Sequence, residues 1–188
     1  MSTSDREPRP FPEVSRLIGE QGAARYLAAY PDPVLILEPF RAPGTALDQI
    51  DASTFGQTTT DVIITPELFS NPAVSAAMVH PEAMVAWVSK TGRNPFPGMV
   101  TVGRAGNNDV ILPHGSISKI HAIFHRHGVS WLIEDRGSTN GTYLDGVRLP
   151  AQERRVLNDG SRLRFGEGST ARFFEAESFA DFCELIAD

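Results

Sequence analysis

Cysteine is nearly absent from this sequence, and so are several other features that would indicate a particular class of protein. The one cysteine, Cys183, cannot form a disulfide within the chain, so a reducing compartment is expected. No apolar run approaches the ~20 residues that span a bilayer, and the polar start lacks the apolar core of a signal peptide. These absences predict a soluble, cytoplasmic protein that does not contact a membrane.

Positive charge is also scarce. The 17 Lys and Arg residues face 23 Asp and Glu, which gives a net charge of −6. Non-specific nucleic-acid binding requires a basic surface, so nucleic acid is not an expected partner. The imbalance is uneven, because residues 1–80 hold 5 basic and 10 acidic residues whereas residues 81–188 hold 12 and 13. The second part can therefore contain a local anion site without a globally basic surface.

Residues 1–80 predict an N-terminal extension of mixed α/β character and uncertain fold. Apolar residues recur at helical spacing after Pro12 and predict a helix over about 12–29, although Gly19 and Gly22 weaken it. Apolar runs at about 34–37 and 62–64 predict two short strands. The intervening residues are rich in Pro, Gly, Thr and Asp, which is typical of a loop.

Residues 81–188 predict an antiparallel β-sandwich that ends in a helix. Short strand-like segments follow one another closely, each ended by turn residues, and this spacing favours a sandwich or barrel. The predicted strands cover 84–89, 99–102, 110–112, 121–126, 130–134, 142–144, 155–157, 162–165 and 171–174. The helix over about 178–187 places Phe179, Phe182, Cys183 and Ile186 on one face, and we expect it to cap one end of the sandwich.

A set of loop motifs between these strands concentrates residue types that bind phosphate and peptide backbone. The motifs are Gly103-Arg104, Asn108-Asp109-Val110, Ser118-Lys119-Ile120-His121, Ser138-Thr139-Asn140-Gly141-Thr142 and Asp145-Gly146. In this order and spacing they resemble the forkhead-associated (FHA) domain over about residues 84–175, roughly half of the chain. The resemblance implies an all-β fold, an antiparallel sandwich of about eleven strands whose loops at one end bind phosphothreonine peptides.

The resemblance also assigns roles to individual residues. It implies that Arg104 holds the phosphate, and a guanidinium offers a planar fork of donors suited to that task. By the same resemblance Ser118, Lys119 and Thr139 are further phosphate ligands, and Asn140 hydrogen-bonds the peptide backbone beside the phosphothreonine. Gly103, His121 and Gly141 would order the loops. No cofactor is expected.

These roles predict a non-catalytic phosphothreonine-binding signalling module that acts downstream of a Ser/Thr protein kinase. Its partners would be a phosphothreonine-containing protein or peptide, and the kinase or its substrates. The alternative is a phosphorylation-independent interaction or assembly module that uses the sandwich and the extension. The oligomeric state stays open.

Other interpretations of the same residues are less favoured. Ser118, His121 and Asp135 could form a hydrolase triad, but side chains three apart on a strand point to opposite faces. His121, His125 and His127 would share a strand face, yet no carboxylate or cysteine partners at zinc spacing accompany them, so no metal site is expected. Possible phosphoacceptors are Thr58, Thr59 and Thr60 in the predicted loop, which the chain's own site could capture once phosphorylated.

Overall fold

The protein is described here by a computed structural model that covers residues 6–40 and 79–187. In these residues, short strands alternate with turns, and helices lie at both ends. The elements are, in chain order, β1 (Arg9–Pro10), α1 (Phe11–Gln21), α2 (Ala23–Ala29), β2 (Val34–Leu37), β3 (Met84–Trp87), β4 (Met99–Gly103), β5 (Val110–Ile111), β6 (Ala122–His127), β7 (Ser130–Asp135), β8 (Thr142–Leu144), β9 (Val147–Arg148), β10 (Arg154–Val156), β11 (Arg162–Phe165), β12 (Ser169–Phe174) and α3 (Ala176–Ala187).

The strands form two sheets that pack face to face. The seven-stranded sheet has the order β1-β3-β2-β12-β11-β8-β9, and the five-stranded sheet has the order β10-β7-β6-β4-β5. Residues alternate between the two faces of each strand, and the inward residues form the core, with Phe124, Phe165 and Phe173 fully buried between the sheets. The predicted all-β sandwich is confirmed. It differs from the expectation in that β4 and β5 pair in parallel and in that the described residues form twelve strands, including the unpredicted β1 and β9.

The N-terminal helical segment is divided into two helices where one helix over 12–29 was expected. The break lies at Gly22, whose φ of 81° and ψ of 149° are far from helical values. Glycine adopts a positive φ at little cost, so α1 ends here and α2 starts in a new direction. Val14, Ile18 and Tyr26 are buried on the faces that the two helices turn toward the sheet.

Strand β2 belongs to the sandwich and does not stand apart in a separate unit. It pairs antiparallel with β12 on one side, Ala171 opposite Leu37, and with β3 on the other, Leu35 opposite Ala86. The described part of the extension therefore shares a sheet with residues from beyond position 80. The strand expected at 62–64 lies outside the described residues.

The helices cover part of the outer face of the seven-stranded sheet. A second apolar cluster joins Phe11 of α1, Tyr26 of α2 and Phe179 of α3 to the outward side chains Val34 of β2 and Trp87 of β3. Helix α3 begins at Ala176, slightly before the predicted residue 178. The expectation that this helix caps one end of the sandwich is wrong, because its apolar face packs on α1 and α2 and on the outward Phe174 of β12.

The turn between β8 and β9 sets the position of Arg148. Asp145 and Gly146 are the two loop residues and have φ values of 50° and 83°. Positive φ at both positions is the type I′ geometry, which matches the twist of a two-residue hairpin. The hairpin register then places Arg148 directly opposite Tyr143.

Candidate functional site

Three loops meet at one rim of the sandwich, and backbone hydrogen bonds join them there. They are residues 104–109 after β4, residues 112–121 between β5 and β6, and residues 136–141 between β7 and β8. The Arg104 backbone N–H donates to the Ser118 carbonyl at 3.0 Å, so the first two loops run side by side. The Thr139 backbone N–H donates to Ser118 Oγ at 3.1 Å, and this bond joins the third loop to the second.

The five predicted ligands lie together at this rim. The side chains of Arg104, Lys119 and Thr139 are exposed, and those of Ser118 and Asn140 are half-buried. Among the described residues, neither Arg104 nor Lys119 has a carboxylate within ion-pair distance. Neither positive charge is paired within the described part of the chain, so both side chains can bind an external anion.

Ser118 and Asn140 combine an internal contact with remaining hydrogen-bonding capacity. Ser118 Oγ accepts from Thr139, so its own O–H still has to be donated elsewhere. Asn140 Nδ2 donates to the Ser116 carbonyl at 2.9 Å, which fixes the orientation of the amide. A second N–H and the carbonyl oxygen of that amide remain, which is the pair needed to bind a peptide backbone.

Close backbone packing explains why position 103 is a glycine. A β-carbon at this position would collide with the Lys119 carbonyl oxygen and would lie 2.9 Å from the Ser118 carbonyl oxygen. The absence of a side chain lets β4 approach the second loop closely enough for the Arg104–Ser118 hydrogen bond. Gly103 therefore sets the position from which Arg104 projects.

His121 lies under the rim and links two loops through both ring nitrogens. It is fully buried, its Nδ1 accepts from the Ser118 backbone N–H at 3.1 Å, and its Nε2 lies 3.1 Å from the Gly141 carbonyl oxygen. This pattern requires the neutral ring with the proton on Nε2. Burial lowers the pKa of His121, only partly opposed by the Gly141 carbonyl and Asp135, so the neutral form is favoured.

Gly141 has a positive φ of 81° and lies against the side chain of Arg148. A β-carbon on Gly141 would be 2.5 Å from Arg148 Nε and 3.2 Å from Arg148 Cζ. Both the backbone conformation and this close approach require glycine here. Arg148 is thereby placed beside the Thr139–Asn140 loop, which the sequence alone did not indicate.

Asn108 is a second residue whose role was not predicted. It is buried, and its Nδ2 donates to the carbonyls of Ala105 at 2.8 Å and Lys119 at 2.7 Å. One amide group thus closes the first loop on itself and ties it to the second. The Asn108-Asp109-Val110 motif was visible in the sequence, but the hydrogen-bond partners of the Asn108 amide depend on the tertiary fold.

Buried Asp109 anchors the first loop from behind. Its carboxylate accepts from the backbone N–H groups of Thr91 at 2.9 Å and Thr101 at 3.0 Å, from Asn94 Nδ2 at 2.9 Å, and from Lys90 Nζ at 3.1 Å. Burial alone would raise the pKa of Asp109, but the hydrogen bonds from Thr101, Thr91 and Asn94 lower it to about 2. The carboxylate is therefore ionised at neutral pH.

Asp135 shapes the third loop in the same way. Its two oxygens accept from the Gly137 N–H at 2.9 Å, the Ser138 N–H at 3.0 Å, Ser138 Oγ at 2.6 Å and Thr142 Oγ1 at 2.7 Å. Burial raises the pKa of Asp135, but the hydrogen bonds outweigh it and the net pKa is lowered. With its oxygens used in this way and both His121 nitrogens bonded to backbone groups, the Ser118–His121–Asp135 triad is not assembled.

Other predicted features fall elsewhere. Within the described residues, no group of three or more His, Cys, Asp or Glu side chains is arranged to hold a metal ion. The possible phosphoacceptors Thr58, Thr59 and Thr60 lie outside the described residues. Across the part of the chain that the structure covers, no helix has the length and apolar character needed to cross a membrane.

Comparison with known proteins finds a family match within the sandwich. The FHA domain model matches residues 100–166, from β4 to the end of β11. This segment falls inside the range of about 84–175 over which the motifs resemble the family, so the resemblance is confirmed.

Curated relatives match over similar lengths. FhaB, an FHA domain-containing protein of Mycolicibacterium smegmatis, is 42% identical over 68 residues, which cover 36% of this chain and 43% of that protein. The FhaB protein of Mycobacterium tuberculosis is 37% identical with the same coverage. The M. tuberculosis ABC transporter ATP-binding/permease protein Rv1747 is 36% identical over 89 residues, 44% of this chain and 10% of that protein. The chain thus spans less than half of these relatives.

A solved structure from a study of phosphothreonine-dependent FHA domain interactions also matches. It shares 26% sequence identity, and the match covers 43% of this chain and 79% of that chain, with a TM-score of 0.38.

Proposed function

We propose that this chain binds phosphothreonine peptides at the rim formed by its three loops, because residues 100–166 match the FHA domain model. The observation that supports the proposal is the meeting of three loop segments at this rim. The Arg104 backbone N–H donates to the Ser118 carbonyl at 3.0 Å, and the Thr139 backbone N–H donates to Ser118 Oγ at 3.1 Å. In this proposal the domain recognises its ligand without transforming it.

The available donors match a phosphate dianion. Arg104 and Lys119 supply two cations, Ser118 and Thr139 supply hydroxyl groups, and the loops between them are fixed from beneath by His121. A phosphothreonine brings about −1.5 to −2 charges and three acceptor oxygens at neutral pH. Because these loops are already held by hydrogen bonds, their backbone loses little conformational entropy when the ligand binds, which favours binding.

The phosphate should account for most of the discrimination between modified and unmodified peptides. Hydrogen bonds to charged groups contribute roughly 1.5–3 kcal/mol each. Two such bonds already correspond to a difference in affinity of at least about a hundredfold. The Asn140 amide would add backbone contacts that a phosphorylated and an unphosphorylated peptide share.

This recognition implies a role downstream of a Ser/Thr kinase. The partner would be a protein that such a kinase has phosphorylated on threonine, or the kinase itself. We place the interaction in the cytoplasm, where a chain with the single buried Cys183 needs no oxidising compartment.

The test is a titration of the full chain with matched peptides that carry phosphothreonine, phosphoserine or threonine. Arg104→Ala should weaken binding of the best phosphothreonine peptide by about ten- to a hundredfold, since it removes a charge-assisted donor. Arg126→Ala is the matched control, because Arg126 is an exposed arginine near the opposite end of β6. It should leave the affinity unchanged.

Two results would overturn the proposal. One is equal affinity of Arg104→Ala and wild type for the phosphothreonine peptide. The other is equal affinity of wild type for the phosphorylated and unphosphorylated peptides, which would indicate the phosphorylation-independent interaction module instead.

A further inference from the structure

Four arginines lie on the outer side of the seven-stranded sheet, on the half that the helices leave uncovered. The strand register puts Arg148, Tyr143, Arg164 and Thr170 in one row across β9, β8, β11 and β12. Arg162 and Arg172 face each other in the next row along β11 and β12. We name Arg148, Arg162, Arg164 and Arg172 the arginine face.

The arginine face forms no ion pair with the described part of the chain. No described Asp or Glu lies within ion-pair distance of any of the four guanidinium groups. Two carboxylates lie at the edge of the face: Glu38 accepts from Thr170 Oγ1 at 3.3 Å, and Asp145 accepts from the Arg162 backbone N–H at 2.7 Å. Burial and the charge of Arg162 lower the pKa of Arg172, and the charge of Glu38 opposes this shift only in part.

This arrangement costs stability, which suggests that it serves a ligand. Like charges directly opposite each other on neighbouring strands are destabilising, and Arg162 and Arg172 are such a pair. The cost is incurred in a chain whose net charge is −6, where acidic residues are plentiful. An external anion would relieve the repulsion and neutralise the face.

The arginine face is continuous with the rim loops. Arg148 lies against Gly141, next to Asn140 in sequence. Arg164 donates from one guanidinium nitrogen to the Gly166 carbonyl at 2.6 Å, and Gly166 packs against the Ser116 carbonyl, to which Asn140 also donates. A ligand could therefore pass from the loops to the arginines without leaving the protein surface.

The spacing suits an extended peptide. Neighbouring strands lie roughly 4.8 Å apart, so Arg148 and Arg164, two strands apart, are separated by roughly 10 Å, and an extended chain advances roughly 3.3 Å per residue. About three residues of peptide would reach from one arginine to the other. We propose that the arginine face binds an acidic stretch of the same polypeptide whose phosphothreonine occupies the rim loops, an inference that rests on the proposed function.

A peptide fits this surface better than a nucleic acid does. Proteins that bind single strands without sequence preference stack bases on exposed aromatic rings. The one aromatic side chain among the rows described above, Tyr143, is already covered by Arg164, whose Cζ lies 3.5 Å from the ring centroid. Binding of a duplex would also be opposed by the net negative charge of the protein.

The experiment compares two phosphothreonine peptides on the full chain by fluorescence anisotropy. One has neutral flanks. The other carries about four glutamates that start about three residues from the phosphothreonine, and it is made in two versions, with the glutamates on the N-terminal or on the C-terminal side. Wild type should bind one acidic version about tenfold more tightly than the neutral peptide at low salt. The gain should shrink as salt is raised from about 50 to about 300 mM, because exposed charge pairs are screened.

Variants locate the effect. Arg162→Gln combined with Arg164→Gln should lose the gain and keep the affinity for the neutral peptide. Arg162→Lys with Arg164→Lys keeps the charges and should retain most of the gain. Arg16→Gln with Arg25→Gln removes the same charge from exposed positions on the helices and should behave as wild type.

The outcomes separate this inference from the proposed function. If both peptides bind equally well, or if the Gln pair on β11 keeps the gain, the inference is wrong while phosphothreonine binding stands. If the acidic stretch binds equally well without phosphothreonine, and only through Arg162 and Arg164, then the arginine face binds acidic peptides but phosphothreonine binding at the rim loops is contradicted. If a DNA duplex competes more strongly than the acidic peptide, the face binds nucleic acid and the inference is wrong.

Discussion

One face of the seven-stranded sheet contains two regions with opposite chemistry. On β2 and β3 the outward residues Val34, Ile36 and Trp87 are apolar, and three helices bury them. On β11 and β12 the outward residues Arg162, Arg164 and Arg172 carry charge, and α3 contacts β12 at Phe174, two residues beyond Arg172. Side chains alternate between the two faces of the strands in the same way in both regions, so strand geometry alone does not explain the difference. The residue type differs between the two regions, and only the apolar one is buried by the three helices.

The largest effect is expected in the helix-covered region. Phe179→Ala should lower the free energy of unfolding by about 3–5 kcal/mol, because it leaves a cavity where a fully buried ring contacts Phe11 and Tyr26. Urea unfolding measures it, and Arg162→Ala on the uncovered region should change the same quantity by less than about 0.5 kcal/mol. Similar losses for both variants would contradict the distinction between the two regions.

A smaller effect is expected from a hydrogen bond inside the helix-covered region. Trp87 Nε1 donates to the Tyr26 hydroxyl at 3.1 Å in a buried setting. Tyr26→Phe leaves the indole N–H without this partner and should cost about 1–3 kcal/mol of unfolding free energy. Tyr143→Phe makes the same chemical change on the arginine side and should cost much less, because no described partner depends on its hydroxyl. Equal costs would indicate that burial does not separate the two regions.

The arginine side should show a weaker, charge-dependent contribution. Tyr143→Leu removes the ring beneath Arg164 and should cost about 0.5–1 kcal/mol, the usual range for an exposed cation–π pair. Tyr143→Phe retains the ring and serves as the control. Thermal and urea unfolding of the two variants should differ; a loss that is the same in both would assign the effect to the hydroxyl.

Much of the sandwich was predictable because turn residues mark its strands. Asp145-Gly146 and Asn158-Asp159-Gly160 end strands where the structure ends them. The continuous apolar run of β2 also indicated burial on both sides, and the sheet core and the helix layer provide the two sides. The pairing of β2 with β12 was not predictable, because no local pattern specifies a partner so distant in sequence.

The functional site was likewise only partly predictable from the sequence. The motifs identified Arg104, Ser118, Lys119, Thr139 and Asn140, and the structure brings these residues to one rim; their roles as ligands stay predictions. The contacts of Asn108 and Arg148 with the loops arise from the meeting of separate segments, so residue type alone could not assign them. The position of α3 was missed for a similar reason, since an apolar helix face does not reveal which surface it will cover.

The smallest expected effect concerns pH and should come from the rim. In the helix-covered region, burial raises the pKa of Tyr26 and raises that of Cys183 to about 12, so both stay neutral near pH 7. Burial lowers the pKa of His121 below its ordinary value of about 6.5, so the unfolded chain binds more protons as pH falls through that value. Stability should therefore decrease from pH 7.5 toward pH 5.5.

The measurement compares unfolding free energies at the two pH values. His121→Gln should lose less stability on acidification than wild type, and His127→Gln, an exposed histidine of β6, should follow wild type. An NMR titration of the His121 ring in wild type tests the same sign without a substitution. A ring that protonates above its ordinary pKa would contradict the assigned neutral state.

The central place of β2 also affects how the chain is made. Glu38, just after β2, contacts Thr170 of β12, 132 residues later. Strand β3 emerges earlier and pairs with one edge of β2, but a ribosome adding about 5–20 residues per second would leave the other edge unpaired for roughly 7–26 seconds before β12 emerged. During synthesis this strand is an unpaired edge, and its protection until β12 emerges would depend on the nascent helices or on a chaperone.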